Sequence, residues 1–346
     1  MTIENSLRRQ LSFILLLTLG ITGCGKEDAS APNAGKDGST ISFVLNDNFS
    51  FGVLYAGFNM GGLLDTLAKQ GPYTVLAPNN NAFSLQGISY PTNAYSFQFF
   101  TPGWLREAMR YTVIPQRVTL GSLPLNTSQA YKTIGGGSVY IKTFAEAGDT
   151  IATVNGFRLV SRDNAASNGL IQVLPQLLNP ELYSTSASAL RSDTTTALFA
   201  AAMQRAGLTE LLSGKDEYTV LAPSNTAFTQ AAIDGLDLST LDGILNADPV
   251  KLATLLQYHI IRGRYFEGDL YHYASAASEG ITTLNGAKLV IGGNPAQFKG
   301  ITFLGAGNDG QPAGIAVPSQ YSPASNNANI PVGNGVIHII NQVLIP

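Results

Sequence analysis

Short apolar runs that stop at a proline predict buried strands at two places in the chain. Residues 74–77 read TVLA, residues 219–222 repeat that string, and a proline follows each run. The asparagine or serine that comes next can cap a helix, and Phe83 and Phe228 would anchor that helix in the core. Each place therefore predicts a strand, a stop, a cap and a short helix.

Apolar residues at helical spacing predict one core helix in each half of the chain. Thr101 and Asp248 suit the N-cap position, and each precedes a proline, which is tolerated at the first helical position. Apolar residues then fall at i, i+3 and i+4, which is typical of a helix that buries one face. They are Leu105, Ala108 and Met109 in the first half and Leu252, Leu255 and Leu256 in the second.

A continuous apolar run predicts a central strand near the end of each half. An Asn-Gly pair, a strong turn signal, precedes both runs, and both carry bulk on two faces. Such a strand belongs mid-sheet, and Pro180 and Pro346 are predicted to end it. Because helices come early and strands late, we expect an α+β fold with a mostly antiparallel sheet. Further strand candidates are Ser138–Thr143, Ala152–Val160, Ile281–Ile291 and Ile301–Leu304.

The chain repeats itself. The string YTVLAPNNNAF at Tyr73–Phe83 returns as YTVLAPSNTAF at Tyr218–Phe228. The string NGLIQVLPQLLNP at Asn168–Pro180 returns as NGVIHIINQVLIP at Asn334–Pro346. With the two helix starts this makes three matches in one order, at a period of about 150 residues, too long for a solenoid unit. The sequence therefore predicts two copies of one domain.

The first residues predict export from the cell. Arg8 and Arg9 precede an apolar run at Leu11–Ile21, a secretory signal layout that is too short to span a bilayer. The ITGC that closes the run resembles the bacterial lipobox, which implies a lipid anchor of more than one acyl chain on Cys24, the single cysteine. Residues 26–28, KED, resemble the surface-export signal of Bacteroidetes lipoproteins.

The signal layout, the repeat and the composition together divide the chain into five expected segments. We predict a signal peptide at 1–23, a flexible tether at 24–39, a first domain at 40–180, a linker at 181–192 and a second domain at 193–346. Charged residues make up only 12% of the chain and the formal net charge is -3, so no basic field is available to bind nucleic acid.

The repeated motifs resemble those of fasciclin domains. The YTVLAP string is similar to the family's first conserved block, the pair Tyr258-His259 to its Tyr-His block, and NGVIHII to its second conserved block. The resemblance implies, for each copy, a compact wedge of helices packed on a small β-sandwich. It also implies a role in cell adhesion or in association with matrix or polysaccharide, commonly in tandem copies.

Two histidines are candidates for chemistry, and both lie in the second copy. The first copy has Thr112 where the second has His259, and Gln172 where the second has His338. Neither histidine has a third ligand at recognisable spacing, so we predict no metal site. The motif residues to which we assign structural roles are Tyr111, Tyr258, His259 and His338.

Animal fasciclin domains bind integrins through an Asp-Ile pair shortly before the second conserved block. By resemblance, the positions that match this pair are Asp163-Asn164 in the first copy and Asn329-Ile330 in the second. Neither copy keeps both residues, so we interpret Asp163 and Asn329 as turn residues.

Two insertions distinguish the copies and supply the candidate binding residues. The first copy has an insertion at Tyr90–Phe100, before its core helix, which we call the aromatic loop. Its rings either face a sugar or a protein partner or fold back over the core. The second has a long segment from Gly305 to Pro331, which is either functional or disordered. The candidate binding residues are Tyr90, Tyr95, Phe97, Phe99, Phe100 and Tyr321.

The sequence contains no nucleophile elbow, phosphate loop or metal-ligand spacing, and together with the family resemblance this indicates a protein that is not an enzyme. We expect no cofactor. We predict a lipid-anchored outer-membrane protein, exposed at the cell surface, that binds a polysaccharide or a surface protein. One alternative is a structural envelope component without an outside ligand. Another is a hydrolase that would use His259 and His338 with a carboxylate.

Overall fold

The computed structural model describes most of the two predicted domains. It covers residues 39–93, 95–98, 100–146, 148–275, 280–317 and 327–346. The predicted signal peptide and Cys24 lie outside the described residues, as do Phe99 and Tyr321. Within the described part, no helix is both long and apolar enough to cross a membrane.

The first domain begins with its helices, and side-chain caps fix where they start. Thr40, Asn79 and Thr101 each accept a hydrogen bond from a backbone N–H of the first helical turn. The Thr101 cap and the proline after it confirm the predicted start of the core helix. The helices are α1 (Ile41–Asp47), α2 (Gly52–Met60), α3 (Leu64–Leu67), α4 (Asn80–Ser84) and α5 (Pro102–Tyr111).

The strands of the first domain form two four-stranded sheets, in the orders β2-β1-β8-β7 and β3-β4-β5-β6. In the first sheet β8 is central, as predicted, and it pairs with β1 in parallel. The other pairs within these two sheets are antiparallel. The strands are β1 (Tyr73–Pro78), β2 (Val113–Ile114), β3 (Gln129–Lys132), β4 (Ser138–Glu146), β5 (Asp149–Val154), β6 (Phe157–Arg158), β7 (Ser161–Ala166) and β8 (Gly169–Leu174).

Alternating side chains of β1 separate two apolar cores. Val75 and Ala77 pack with the helices, whereas Leu76 packs between the two sheets with Val139 and Val154. A strand whose two faces are both covered needs an apolar residue at nearly every position, which explains the unbroken run in the sequence. The domain is thus a small β-sandwich with helices packed on one sheet, as the sequence predicts.

The second domain repeats this arrangement with sheets β10-β9-β16-β15 and β11-β12-β13-β14. Its helices are α6 (Ser186–Ser192), α7 (Ala197–Arg205), α8 (Thr209–Ser213), α9 (Asn225–Gln230), α10 (Leu241–Asn246), α11 (Pro249–Gln257) and α12 (Glu267–Ser275). Its strands are β9 (Tyr218–Pro223), β10 (Ile260–Arg262), β11 (Ile281–Thr282), β12 (Lys288–Asn294), β13 (Lys299–Leu304), β14 (Ala313–Gly314), β15 (Ile330–Val332) and β16 (Gly335–Ile340).

The central strands end earlier than predicted. We expected Pro180 and Pro346 to end them, but β8 stops at Leu174 and β16 at Ile340. Those residues lie opposite the prolines that close β1 and β9, and a proline has no N–H with which to continue a ladder.

Two predicted strands are each divided by a tight turn. Ala152–Val160 contains the end of β5, a turn at Asn155-Gly156 and then β6. Ile281–Ile291 contains β11, a turn and the first half of β12. In each case an Asn-Gly pair in the apolar run makes the turn, a signal that the prediction overlooked.

The predicted linker at 181–192 is too long. Ser186–Ser192 form α6, and its start is fixed by a capping box between Thr185 and Ser188. Ala187 and Leu190 are buried in the helix-side core of the second domain. The connection between the domains is therefore confined to residues 181–185.

A buried asparagine ties the first helix of each domain to its central strand. Asn168 accepts a hydrogen bond from the Ile41 N–H at 2.8 Å and donates to the Leu67 and Lys69 carbonyls, each at 2.7 Å. The glycine after it is required, because a Cβ on Gly169 would lie 2.0 Å from the Tyr73 carbonyl oxygen. We call Asn168 and its second-domain counterpart the asparagine clasps.

The second clasp repeats the first. Asn334 accepts from the Ser186 N–H at 2.7 Å and donates to the Leu212 and Gly214 carbonyls, each at 2.9 Å. One side chain therefore satisfies three buried backbone groups in each domain.

The two domains pack directly on each other. The Lys142 ammonium on β4 lies 2.7 Å from the Asp269 carboxylate on α12, and both side chains are mostly buried. The Arg264 guanidinium stacks 4.2 Å from the centre of the Tyr140 ring. The backbones also approach closely, because a Cβ on Gly268 would lie 2.8 Å from the carbonyl oxygen of Gly156. We call this set of contacts the domain interface.

Candidate functional site

His259 is a buried structural residue. Its Nε2 accepts the Leu344 N–H at 2.9 Å, so the proton sits on Nδ1, which donates to the Leu255 carbonyl at 3.0 Å. Burial lowers the pKa of His259 to about 4, and the ring is neutral at pH 7. Both nitrogens are used by the backbone, which leaves no lone pair for a metal or a substrate.

His338 is held in the same manner between the two sheets of the second domain. Its Nδ1 accepts the Asn329 N–H at 3.3 Å, and its Nε2 donates to the Tyr265 carbonyl at 3.0 Å. Burial lowers its pKa to about 4. The hydrolase alternative needs a free imidazole nitrogen on these histidines, and the geometry does not provide one.

Asp163 and Asn329 both have left-handed backbones, at φ 54° in each case. Asp163 lies within β7 at a β-bulge and Asn329 immediately precedes β15, so the prediction that they are turn residues is wrong. The Asp163 carboxylate accepts the Leu120 N–H at 3.1 Å, and the Asn329 side chain accepts the Glu267 N–H at 2.8 Å. Each side chain therefore accepts from the backbone at the same place in its domain.

Glu267 is a titratable group in contact with Asn329. Its carboxylate accepts from the Asn329 amide at 2.8 Å. Burial raises the pKa of Glu267 to about 7, and the amide hydrogen bond offsets part of that rise. The first domain has Leu120 at this place, so the charge is particular to the second domain.

Tyr111 and Tyr258 tie the end of the core helix to the second sheet of their domains. The Tyr111 hydroxyl donates to the Ser138 carbonyl and accepts from the Asn155 amide at 3.0 Å. The Tyr258 hydroxyl donates to the Lys288 carbonyl at 2.7 Å. Burial raises the pKa of both phenols, so they remain neutral donors.

The aromatic loop of the first domain divides into two kinds of residue. Phe97 and Phe100 are only 6% exposed and pack in the helix-side core, so the expectation that they present open faces to a ligand is wrong. Tyr90 and Tyr95 are 45% and 71% exposed. In the described part of the loop, Phe97 and Phe100 are thus anchors and Tyr90 and Tyr95 are exposed.

A cleft of about 320 Å³ lies between the domains. Its apolar lining includes Trp104 of α5, Leu182 and Tyr183 of the connection, and Ile330 and Pro331 of β15. Most of its polar lining comes from the end of α6 and the segment that joins α6 to α7. The polar residues lining the cleft are Asn179, Ser192, Asp193, Thr194, Thr195 and Thr196. No pattern in the sequence predicts this cleft.

Side chains that could hold a metal do not cluster in the described residues, where no group of three or more His, Cys, Asp or Glu side chains is suitably placed. The described geometry is that of a two-domain α+β protein whose buried polar side chains serve the backbone.

The chain belongs to the fasciclin domain family, whose model matches residues 50–180 and 194–346. It is 26% identical to the pig transforming growth factor-beta-induced protein ig-h3 over 80% of this chain and 35% of that protein. It is 27% identical to human periostin over 61% of this chain and 22% of that protein. The chain thus spans about a third or less of these relatives.

A bacterial relative and a solved structure are also similar. Protein sll1483 of Synechocystis is 28% identical over 41% of this chain and 74% of that protein. A FAS1 domain pair from the insect cell adhesion molecule Fasciclin I aligns with 87% of this chain and 98% of its own, at 16% identity and a TM-score of 0.40.

Proposed function

We propose that this protein is exported, is anchored by lipid on Cys24 in the outer membrane, and binds a polysaccharide or another surface protein through its fasciclin domains. The family membership supports a role in adhesion or binding. The observation that carries the proposal is the aromatic loop, where Tyr90 and Tyr95 are exposed above a phenylalanine anchor.

Side-chain hydrogen bonds fix the backbone of the loop on either side of Tyr95. The Asn93 side chain accepts the Tyr95 N–H at 2.8 Å, and the Ser96 hydroxyl accepts the Asn93 N–H at 2.7 Å. An aromatic ring held on a fixed turn loses little conformational entropy when it binds a flat apolar surface. Tyrosine also offers a hydroxyl to a polar partner.

Binding is tested with the full chain in detergent, on an array of neutral and acidic glycans and in pull-downs from envelope extracts. We expect retention of a glycan or of a discrete surface protein. If neither assay retains a ligand, the binding role is contradicted and a structural envelope component without an outside ligand is favoured.

Anchoring is tested separately by metabolic labelling with a fatty acid. The full chain should incorporate the label and fractionate with the outer membrane, whereas Cys24→Ser should do neither. Labelling of the Cys24→Ser variant would overturn the assignment of the anchor to this cysteine.

A further inference from the structure

We propose that the cleft between the two domains binds an uncharged sugar ring of a glycan, with Trp104 and Asp193 as its main contacts. This inference rests on the proposed function and gives it a second, distinct site. The cleft is a separate place from the aromatic loop, since Tyr90 and Tyr95 do not line it.

Trp104 provides a fixed apolar surface. Its ring stacks on Phe100, with centroids 5.1 Å apart and planes 13° from parallel, and Phe100 is itself buried in the core. The Thr101 cap sets the first turn of α5, from which the ring projects. Its orientation is therefore set before any ligand arrives, as a stacking platform requires.

Asp193 provides a fixed acceptor in the same cleft. Its Oδ1 accepts from the Thr195 N–H at 2.8 Å and from the Thr195 hydroxyl at 2.7 Å. Its Oδ2 makes no hydrogen bond with any residue that the structure describes. One oxygen thus orients the carboxylate, and the other can accept from two ligand hydroxyls.

The lining selects against anionic ligands. Among the described residues that line the cleft, none is Lys, Arg or His, and Asp193 is the single acidic residue. A carboxylate repels uronic acids, sulfated sugars and phosphates, whereas it accepts strongly from neutral hydroxyl groups. An apolar ring and a carboxylate acceptor within one cleft suit a pyranose, which has both apolar C–H groups and hydroxyl groups.

The size of the cleft fits one or two sugar rings, and a neighbouring groove offers room for more. The cleft volume lies at the lower end of the range for small-ligand pockets. A groove of about 590 Å³ shares Thr194, Thr195 and Ile339 with it and is lined by further amide and hydroxyl side chains, including Asn225 and Gln230. A longer glycan could therefore continue from the cleft along the second domain.

The test uses the fluorescence of Trp104, the single tryptophan of the chain. The full chain is titrated with neutral glycans retained on the array, and with cellotetraose, mannotetraose and tetragalacturonate as fixed probes. We expect a saturable change in emission with at least one neutral glycan and none with tetragalacturonate. Asp193→Ala should weaken that binding at least about tenfold.

Trp104→Ala is measured by calorimetry, since it removes the fluorescent reporter, and should weaken binding to a similar degree. The matched control is Asp237→Ala, because Asp237 also accepts from the N–H and hydroxyl of the residue two positions later but lies outside the cleft. It should leave the affinity unchanged. Circular dichroism of each variant separates lost binding from lost folding.

The outcomes separate this inference from the proposed function. Glycan binding that Tyr95→Ala removes and Asp193→Ala leaves intact would place the site on the aromatic loop and overturn the cleft. Retention of acidic glycans alone, or of a surface protein alone, would also overturn the cleft while the proposed function stands. Silence toward every glycan and every envelope protein would sink both.

Discussion

The two domains bury different side chains between their sheets, although both backbones present one N–H and one carbonyl there. In the first domain Gln172 accepts the Asp163 N–H at 2.7 Å and donates to the Val118 carbonyl at 3.3 Å. In the second, His338 accepts the Asn329 N–H and donates to a carbonyl in the same manner. The fold therefore needs a donor and an acceptor at this place, and either side chain supplies both.

The comparison explains what His338 does in the second domain. A neutral imidazole with its proton on one nitrogen offers one acceptor and one donor, the same pair that Gln172 uses at this place, while the second amide N–H of Gln172 donates to the Asp163 carboxylate at 2.9 Å. The difference between the domains is that only the imidazole takes up a proton in acid. The predictions below test whether the domains are alike where they share residues and unlike where they do not.

The largest effect is expected at the asparagine clasps. Asn168→Ala and Asn334→Ala should each lower the free energy of unfolding by roughly 3 kcal/mol. Each change leaves three backbone groups without a hydrogen-bond partner, and each unsatisfied group costs about 1 kcal/mol or more. Urea unfolding measures the loss. The exposed Asn246, which donates to the Asp242 carbonyl, is the matched control, and its change to alanine should cost less than about 0.5 kcal/mol. Losses that differ several-fold between the two clasps would show that the domains are not stabilised alike.

The next effect is a dependence of stability on pH that arises in the second domain. The pKa of each buried histidine falls from 6.5 to about 4 on folding, so the unfolded chain binds those protons first and stability drops as pH falls through this window. The pKa of Glu267 rises from 4.5 to about 7, so this group stabilises the fold as pH falls from 7 to 4.5. Between pH 6.5 and 4.5 the three groups leave a net loss of about 1.4 kcal/mol per pH unit.

His338→Gln tests that balance with the residue that the first domain uses. One histidine then opposes one carboxyl, and the contribution of these groups should become flat between pH 6.5 and 4.5. Glu267→Gln should instead roughly double the loss per pH unit. Urea unfolding at three pH values gives the slopes, and equal slopes for wild type and His338→Gln would contradict the assignment.

A smaller effect is expected at the domain interface. Lys142→Met keeps the aliphatic stem but leaves Asp269 without its ammonium partner, which should cost about 1 kcal/mol. The loss should also uncouple the domains, so that Trp104 fluorescence and far-UV circular dichroism no longer report the same urea midpoint. Arg106→Met, in an exposed ion pair with Glu107, is the control and should leave the midpoints together.

The smallest effect on stability is expected at the exposed ring of the aromatic loop. Tyr95→Ala should change the unfolding free energy by less than about 0.5 kcal/mol, whereas Phe97→Ala should cost about 3 kcal/mol because it empties a filled core position. Thermal unfolding separates the two. A large loss for Tyr95→Ala would show that the ring serves the core and would weaken the binding proposal.

Features that depend on neighbouring residues could be predicted from the sequence. The TVLA strands, the Thr101 and Asp248 caps and the repeat are local signals, because a cap or an apolar run acts within a few residues. Within the aromatic loop the residue types carried a usable signal that was not used. Phenylalanine has no polar atom to keep in water, whereas tyrosine does, and the structure sorts the loop in that way.

Features that bring distant segments together could not be predicted. The cleft joins Trp104, the connection at 181–185 and β15, and no spacing in the sequence relates them. The clasps are similar, because Asn168 reaches helices about 100 residues earlier while the Asn-Gly pair reads as an ordinary turn. The parallel pairing of β1 with β8 likewise joins residues that are about 95 positions apart.

The parallel pairing of β1 with β8 also sets the order in which each domain can form. The strand that completes the first sheet and the asparagine that holds its first helix both come from the last element to be synthesised. Contacts between such distant segments slow folding, because a long loop must close, at a cost in entropy, before the stabilising contacts can form. A nascent domain should therefore stay open, with its apolar strand edge unprotected, until its final strand is available.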